Sequence, residues 1–351
     1  MTTPAISPED TPEGRLAAAR QAVLTKPPGS LGRLEELAIR LAGIQGVELP
    51  TASPAAAVIF ASDHPVARHG VSAYPAEVTG QMMENFAAGG AASTVMARAQ
   101  AVPLTVVDVG VASPYTPSRT VRRHPVAEAP VGDLREARAM PRETLELAMA
   151  AGADAVDDLD GARVLVLGEM GIGNTTAAAA VAAALLDSDA AALVGPGTGV
   201  TGAAFEHKIE VVDEALDHFR NAQGHATRDA RTVLAALGGR ELAALAGALL
   251  AAPKRRLPVL VDGFIVSAAA LAAVAIEPSV AQVLVFSHRS AEQGHRRILD
   301  ALGARPLLDL DLRLGEATGA LTALPLLDLA CRTHAEMATF SEAGIAGPAE
   351  S

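Results

Sequence analysis

A strand, a glycine-rich turn and an alanine-rich helix follow one another between Arg163 and Leu186, in the sequence RVLVLGEMGIGNTTAAAAVAAALL. The run from Val164 to Leu167 is short and apolar, and nothing from Asn174 onward interrupts a helix. A strand that enters a helix through a tight turn is the repeating unit of a parallel α/β sheet. This segment therefore places the chain in the α/β class.

The turn itself predicts where an anion binds. Glycines such as Gly171 and Gly173 let the backbone approach a ligand, and the free N–H groups of the following helix start favour a phosphate or a carboxylate. Glu169 lies in the same turn and would repel an anion, so we interpret it as facing a developing positive charge or binding a hydroxyl. The alternative is an ordinary strand-to-helix turn with an acidic residue at the helix start.

Strand-like apolar runs alternate with helical stretches along the chain, which predicts a parallel sheet. Each run ends in polar or glycine-rich residues, and in open α/β sheets ligands bind beyond the carboxyl ends of the strands. We therefore expect these ends to form one crevice, although any strand-to-helix loop also needs turn residues. The predicted strands are Ala56–Ala61, Leu104–Val109, Val164–Leu167, Ala191–Val194, Pro258–Val261 and Val283–Phe286.

The chain has 351 residues, which favours one large domain and a smaller one. Half of the residues are hydrophobic but only 3% are aromatic, so Ala, Leu and Val must build a core of tightly packed helices on a sheet. Three predicted helices near the termini form the smaller domain, and Tyr115–Arg142 is expected to be a solvated excursion. The predicted helices are Arg15–Leu24, Leu34–Leu41 and Ala320–Met337, the smaller domain is 1–50 with 321–351, and the α/β domain is 51–320.

Charge and targeting patterns exclude several classes of partner. The net charge is −12 with no basic run, which argues against nucleic acid. Cys331 is the single cysteine, so no intrachain disulfide or cysteine zinc cluster forms and a reducing compartment fits. The N-terminus lacks the pattern of a signal peptide, and the apolar run Phe264–Ile276 is shorter than the roughly 20 residues of a membrane span. We expect a cytoplasmic location, no membrane partner, and a buried helix at Phe264–Ile276.

Two glycine motifs superficially match nucleotide-binding patterns. GEMGIGNTT lacks the lysine that a P-loop has before Thr175, and GTGVTG, Gly197–Gly202, lacks the distant acidic residue of a dinucleotide site. Glu206 and Glu210 follow too soon. The two turns together would still hold one phosphate. Lys208 could neutralise that phosphate, and the alternative is that Lys208 is a solvated lysine on the helix surface.

Two groups of polar residues remain as candidates. Asp63, His64 and His69 fit no zinc spacing, and Pro65 breaks any helix that would align them, so no metal is predicted. Glu316 follows a glycine and precedes a helix, close to Arg313. It is either an acid that stabilises the helix start or a carboxylate that points into the crevice.

Eight segments, in collinear order over most of the chain, resemble the nicotinate-nucleotide–dimethylbenzimidazole phosphoribosyltransferase family. The resemblance implies a doubly wound, Rossmann-like parallel sheet, a small helical domain from both termini, a homodimer and no cofactor. The segments are PPGSLGRLE (27–35), GVSAYPAEVTGQM (70–82), NFAAGGAA (85–92), GEMGIGNTT (168–176), GPGTGV (195–200), VDGFIVSAAALAA (261–273), SHRSAEQGH (287–295) and LDLDLRLGEATGA (308–320).

The implied reaction is phosphoribosyl transfer from nicotinate mononucleotide to 5,6-dimethylbenzimidazole, giving nicotinate and α-ribazole 5′-phosphate for the nucleotide loop of cobalamin. In this family the glutamate corresponding to Glu316 is the base, and Glu169 would stabilise the ribosyl cation. The family commonly has glycine where this chain has Pro65, so Asp63 and His64 are not assigned to substrate. The implied binding residues are Gly171, Gly197 and Lys208 at the phosphate, Gln81 at the base, and Asp262, Ser290 and Arg313 around the nucleotide. Further predicted substrate-binding residues are Gly173, Asn174, Thr175 and Gly195.

Two other functions stay open at this point. A non-catalytic binder of the azole or nucleotide would use the same fold, although it has no need of a carboxylate base. A nucleoside phosphorylase would use inorganic phosphate in place of an azole. The identity of the azole is also open, since benzimidazole, adenine and phenols make similar demands on a small apolar pocket.

Overall fold

The computed structural model describes residues 7–224 and 227–346. Within them, six strands form one sheet in the order β3-β2-β1-β4-β5-β6, and every neighbouring pair is parallel. The predicted α/β fold with a doubly wound parallel sheet is confirmed. The strands are β1 Ala55–Ser62, β2 Leu104–Gly110, β3 Val121–Arg123, β4 Val164–Met170, β5 Val259–Val261 and β6 Leu284–Phe286.

The strand order reverses between β1 and β4, which lie side by side in the centre of the sheet. In doubly wound sheets this reversal opens a crevice at the carboxyl ends of the two strands, because the connections on either side run in opposite directions. Glu169 pairs with Phe60 in the last part of β4 and therefore lies at that crevice.

The helices flank the sheet and connect its strands. In chain order they are α1 Pro12–Val23, α2 Arg33–Gln45, α3 Val78–Ala88, α4 Ala92–Ala99, α5 Arg142–Asp157, α6 Asn174–Leu186, α7 Ala190–Leu193, α8 Ala203–Gln223, α9 Ala230–Leu237, α10 Arg240–Ala251, α11 Phe264–Ile276, α12 Gln293–Ala301, α13 Thr318–Glu336 and α14 Phe340–Ala343.

The two faces of the sheet bury separate apolar clusters. Val58 and Phe60 of β1 point towards the helices from α5 to α12, whereas Ala57 and Ile59 point towards α2, α3, α4 and α13. Side chains alternate along a strand, so a strand covered on both faces is apolar at every position. This accounts for the uninterrupted apolar run in β1, all of whose residues are buried.

Most sequence-based helix predictions agree with the structure. α1, α2 and α13 cover the three predicted terminal helices, and α11 is the buried helix predicted at Phe264–Ile276. No helix within the described ranges is both long and apolar enough to cross a membrane. α2 and α13 pack on each other and on the sheet. The division into two domains stays a prediction, and residues 1–6 and 347–351 of the smaller domain lie outside the described residues.

Two predictions are wrong. Ala191–Val194 is not a strand, because Ala190–Leu193 forms the short helix α7. A four-residue apolar run fits a buried helix as well as a strand, and alanine favours the helix. The segment Tyr115–Arg142 is not only a solvated excursion, since it supplies the edge strand β3. It buries apolar residues against the core, namely Val121, Val126, Leu134, Ala139 and Met140.

Candidate active site

A cavity of about 600 Å³ lies at the carboxyl ends of β4, β5 and β6. This volume is in the range of pockets that hold small-molecule ligands. One part of its lining is apolar and includes Tyr74, Val78, Met82, Met170, Ile172, Phe264, Ile265, Leu312 and Leu314. The polar part includes Glu169, Asn174, Thr175, Thr198, His288, Ser290, Glu292, Asp311, Arg313 and Glu316.

Glu169 is buried at the end of β4, with 4% of its surface exposed. Its Oε2 accepts a hydrogen bond from the side-chain amide of Asn174, the first residue of α6. Burial raises the pKa of Glu169 well above the ordinary value, and the nearby carboxyls of Asp262, Glu241 and Glu316 add to this shift. A positive charge in the cavity would reverse the effect, because it stabilises the ionised form.

Glu316 comes from the turn before α13 and is 7% exposed. Glu316 and Ala317 both have a left-handed backbone, with φ values of 57° and 64°. Such strain in residues other than glycine costs free energy and clusters at functional sites. Oε2 of Glu316 has no hydrogen-bond partner among the described residues. Burial, with a smaller contribution from Asp262, raises the pKa of Glu316 to about 7.

A glycine in β4 lets this turn approach the sheet. A β-carbon on Gly168 would collide with the backbone of Ala317, so the strand must carry a glycine there. Asp262, which follows β5, then holds the first turn of α13, because its Oδ1 accepts a hydrogen bond of 2.9 Å from the Ala320 amide. Oδ2 of Asp262 has no partner in the described ranges. Asp262 is therefore positioned to act on Glu316 through its charge and through the helix that it anchors.

His288 follows β6 and lines the cavity. The Ser287 hydroxyl donates a hydrogen bond to the carbonyl of Val261 at 2.7 Å. A hydroxyl has only one hydrogen, so in its contact of 2.9 Å with Nδ1 of His288 it must be the acceptor, and Nδ1 carries the hydrogen. Nε2 is then the unprotonated nitrogen. Burial lowers the pKa of His288, which keeps the ring neutral despite the nearby Asp262. His288 thus brings a hydrogen-bond acceptor to the site.

Lys208 of α8 reaches the glycine turns as the sequence predicts. It is 1% exposed, and Nζ donates hydrogen bonds to Thr175 Oγ1 at 2.9 Å and to the Gly195 carbonyl at 3.0 Å. It is therefore not a solvated helix lysine. Gly197 has φ of 54°, and a β-carbon there would lie 2.9 Å from Nζ. Burial lowers the pKa of Lys208 to about 8, which leaves it largely charged at neutral pH.

The other predicted binding residues are distributed around this centre. Ser290 is buried, and its amide donates to Nδ1 of His295 at 2.9 Å. Arg313 is exposed at the rim of the cavity, with Nη1 3.5 Å from the Gly197 carbonyl. Gly173 directly precedes α6, and a β-carbon there would lie 3.1 Å from Cβ of His64. Gln81 is exposed on α3, the helix that contributes Val78 and Met82 to the lining, and its role stays a prediction.

Asp63, His64 and His69 all contact other residues of the protein. His64 Nε2 lies 2.7 Å from a carboxylate oxygen of the fully buried Glu241, and Oδ2 of Asp63 accepts from the Ala112 amide at 2.7 Å. His69 pairs with Asp133 at 2.8 Å. Throughout the described ranges, no three His, Cys, Asp or Glu residues are grouped in a way that could hold a metal ion.

Two buried polar residues of the cavity, His288 and Glu292, are not among the residues predicted from the sequence. Both lie in the segment SHRSAEQGH that follows β6, from which only Ser290 was selected. The available signal was their position after a strand of the predicted sheet, since that is where the crevice forms. Which of these side chains turns inward is decided by the tertiary structure.

Comparison with known proteins places the chain among phosphoribosyltransferases. The family model described as phosphoribosyltransferase matches residues 6–345. The nicotinate-nucleotide–dimethylbenzimidazole phosphoribosyltransferase of Azotobacter vinelandii is 51% identical over 345 residues, with 97% of each chain covered. The enzyme of that name from Bradyrhizobium sp. strain ORS 278 is 53% identical over 340 residues, with 94% of this chain and 93% of the other covered.

A solved structure also matches the whole fold. The crystal structure of CobT from Thermus thermophilus superposes with a TM-score of 0.89 at 44% identity, covering 96% of this chain and 99% of that one. Sequence and structure thus agree over nearly the full length, including the segments that build the cavity. The chain belongs to the nicotinate-nucleotide–dimethylbenzimidazole phosphoribosyltransferase family.

Proposed function

We propose that this protein transfers phosphoribose from nicotinate mononucleotide to 5,6-dimethylbenzimidazole, releasing nicotinate and forming α-ribazole 5′-phosphate for the nucleotide loop of cobalamin. The observation that carries the proposal is the placement of two buried carboxyls, Glu169 and Glu316, on one cavity that also has an apolar wall. A pure binding site for these ligands would not need two carboxyls at a cost in desolvation.

The chemistry of the reaction matches these groups. Nicotinate leaves as a neutral pyridine ring from a cationic pyridinium, so the leaving group needs no general acid. The azole loses its N–H proton when it attacks, and Glu316, with a pKa of about 7 and a free Oε2, suits the acceptor. Glu169 beside it would stabilise the positive charge that develops on the ribose.

The remainder of the cavity provides binding. The backbone of the turns at Gly171 and Gly197 and the ammonium group of Lys208 form a site for the 5′-phosphate. The apolar side chains of Tyr74, Val78 and Met82 offer the azole a surface to pack on. These roles follow from the resemblance and from the burial of each group.

Product analysis tests the proposal. The protein is incubated with nicotinate mononucleotide and, separately, with dimethylbenzimidazole, benzimidazole, adenine or a phenol, and the products are identified by mass. We expect the α-ribazole phosphate mass with dimethylbenzimidazole, without added inorganic phosphate. Binding of both ligands with no product would instead support a carrier or sensor, and a strict need for inorganic phosphate would support a phosphorylase.

We further propose that the protein is a homodimer, as the resemblance implies, and that it works in the cytoplasm, where its single cysteine would stay reduced. Light scattering coupled to size-exclusion chromatography tests the dimer, for which the expected mass is twice 35.7 kDa. Fractionation of the cells that produce the protein tests its location.

A further inference from the structure

The carboxyl group of Glu292 has no role in the reaction described so far. Glu292 is 5% exposed and lines the cavity beside Gly197 and Thr198. Neither of its carboxylate oxygens makes a hydrogen bond of normal geometry among the described residues, and the Gly197 amide is close enough only to lower its pKa. A buried polar group without a partner is costly, and native proteins rarely retain one unless a ligand or solvent satisfies it.

The position of this carboxyl is well defined. Glu292 immediately precedes α12, and its amide donates to Ser290 Oγ at 3.3 Å. Its side chain lies against Gly195, where a β-carbon would collide with Oε2. Gly195 is therefore small because the glutamate occupies that space. A side chain held in this way can act as a fixed hydrogen-bond acceptor.

Burial raises the pKa of Glu292, and neighbouring positive charges oppose that rise. Lys208 and Arg313 are both close enough to lower the pKa of this carboxyl. Within the described ranges, Lys208 nevertheless directs its hydrogen bonds to Thr175 and Gly195 and not to Glu292. The third N–H of the ammonium group is left for the proposed 5′-phosphate, so Glu292 still lacks a donor.

A hydroxyl group satisfies this carboxylate, because it donates its hydrogen to an oxygen that has no other partner. A phosphate dianion has no hydrogen to donate to Glu292. We infer that Glu292 accepts a hydrogen bond from a ribose hydroxyl of the donor nucleotide and so makes the enzyme select ribose over deoxyribose. This inference rests on the proposed function and extends it to recognition of the sugar.

Calorimetric titration tests the inference without catalysis. Nicotinate mononucleotide and its 2′-deoxy and 3′-deoxy analogues are titrated into wild type, Glu292→Gln and Glu292→Ala. Glu206→Gln, which changes an exposed glutamate on α8, is the matched control. A hydrogen bond to a charged group typically corresponds to a 10- to 100-fold effect, so wild type should bind one deoxy analogue about that much more weakly.

Both Glu292 variants should lose most of this preference, and Glu206→Gln should keep it. An equal preference for the ribonucleotide in wild type and Glu292→Gln would overturn the inference. Thermal unfolding shows whether Glu292→Ala is folded, and Glu292→Gln, which keeps the shape of the side chain, decides the question if it is not.

Nicotinate riboside separates the sugar from the phosphate, because a protonated phosphate oxygen also carries an O–H donor. The penalty of Glu292→Gln should persist with the riboside, which lacks the phosphate. A penalty that disappears with the riboside would assign the contact to the phosphate and overturn the inference. A wild type that binds nicotinate mononucleotide but forms no product would contradict the proposed function alone, since these titrations measure binding.

Discussion

Gly315 places its backbone directly against the carboxyl group of Glu169, so that a β-carbon at position 315 would collide with Oε1. The contact joins the end of β4 to the turn before α13. Glu169 and Glu316 therefore share one wall of the cavity, although they are far apart in sequence. This relationship explains why a glycine precedes Glu316.

Gly315→Ala should reduce kcat/KM at least 10-fold, because the added methyl group must displace Glu169 or the turn that carries Glu316. The backbone also opposes the change, since Gly315 has φ of 84°. Gly303→Ala is the matched control: Gly303 has φ of 59° but no atom within 4 Å of its β-carbon position. Both variants should lose some thermal stability, and only Gly315→Ala should lose activity. Equal activity in the two variants would contradict the role of this contact.

Glu316→Gln should lower turnover about 10² to 10⁴-fold with near-normal folding, because the amide keeps the size of the side chain but accepts no proton. Steady-state kinetics with nicotinate mononucleotide and dimethylbenzimidazole measure the loss, and Glu206→Gln is the control. Turnover within a factor of three of wild type would exclude Glu316 as the base.

The pH profile of the wild-type enzyme tests the same residue independently. The pKa of Glu316 is raised to about 7, so its ionised fraction, and with it kcat/KM, should increase as pH rises through about 7. The acid limb of kcat should lie at lower pH, because kcat reports the substrate complex and the bound pyridinium cation favours the carboxylate. A kcat/KM that stays flat from about pH 5 to pH 8 would argue against an ionised Glu316 as the base.

Two of the carboxyls that line the cavity can be singled out from the sequence, whereas some peripheral elements cannot. Glu169 and Glu316 were identified because glycines and helix starts flank them, and these local signals depend on near neighbours. Ala191–Val194 was misassigned, since a short apolar run has no periodicity that separates strand from helix. β3 was missed because its pairing depends on distant residues: Arg123 forms an ion pair with the fully buried Asp108 of β2.

The polar contacts inside the cavity were the hardest to predict for a similar reason. The free carboxyl of Glu292 and the tautomer of His288 depend on partners contributed by other strands and helices. For His288, the carbonyl of Val261 in β5 decides which nitrogen carries the hydrogen. No pattern within SHRSAEQGH contains that information.

Lys208→Ala should mainly weaken binding of the phosphorylated donor. Nicotinate riboside lacks the phosphate, so replacing the nucleotide by the riboside should cost wild type much more than the variant. Lys254→Ala, which removes an exposed lysine, is the control. In wild type, affinity for the nucleotide should also fall as pH rises through about 8, where the buried Lys208 loses its charge. If the loss of affinity caused by Lys208→Ala and the loss caused by removing the phosphate simply add, Lys208 does not contact the phosphate.

The last prediction concerns the stereochemistry of transfer. Glu169 is a poor nucleophile, because Asn174 binds one oxygen and Gly315 covers the other. A covalent intermediate on Glu169 would retain configuration, as in glycosidases with a carboxylate nucleophile. If Glu316 holds the azole on the face opposite to nicotinate, direct attack by the azole inverts the anomeric configuration. A β-nucleotide should therefore give an α-product, which the anomeric coupling in proton NMR identifies. A β-product would refute single displacement and the roles proposed for both glutamates.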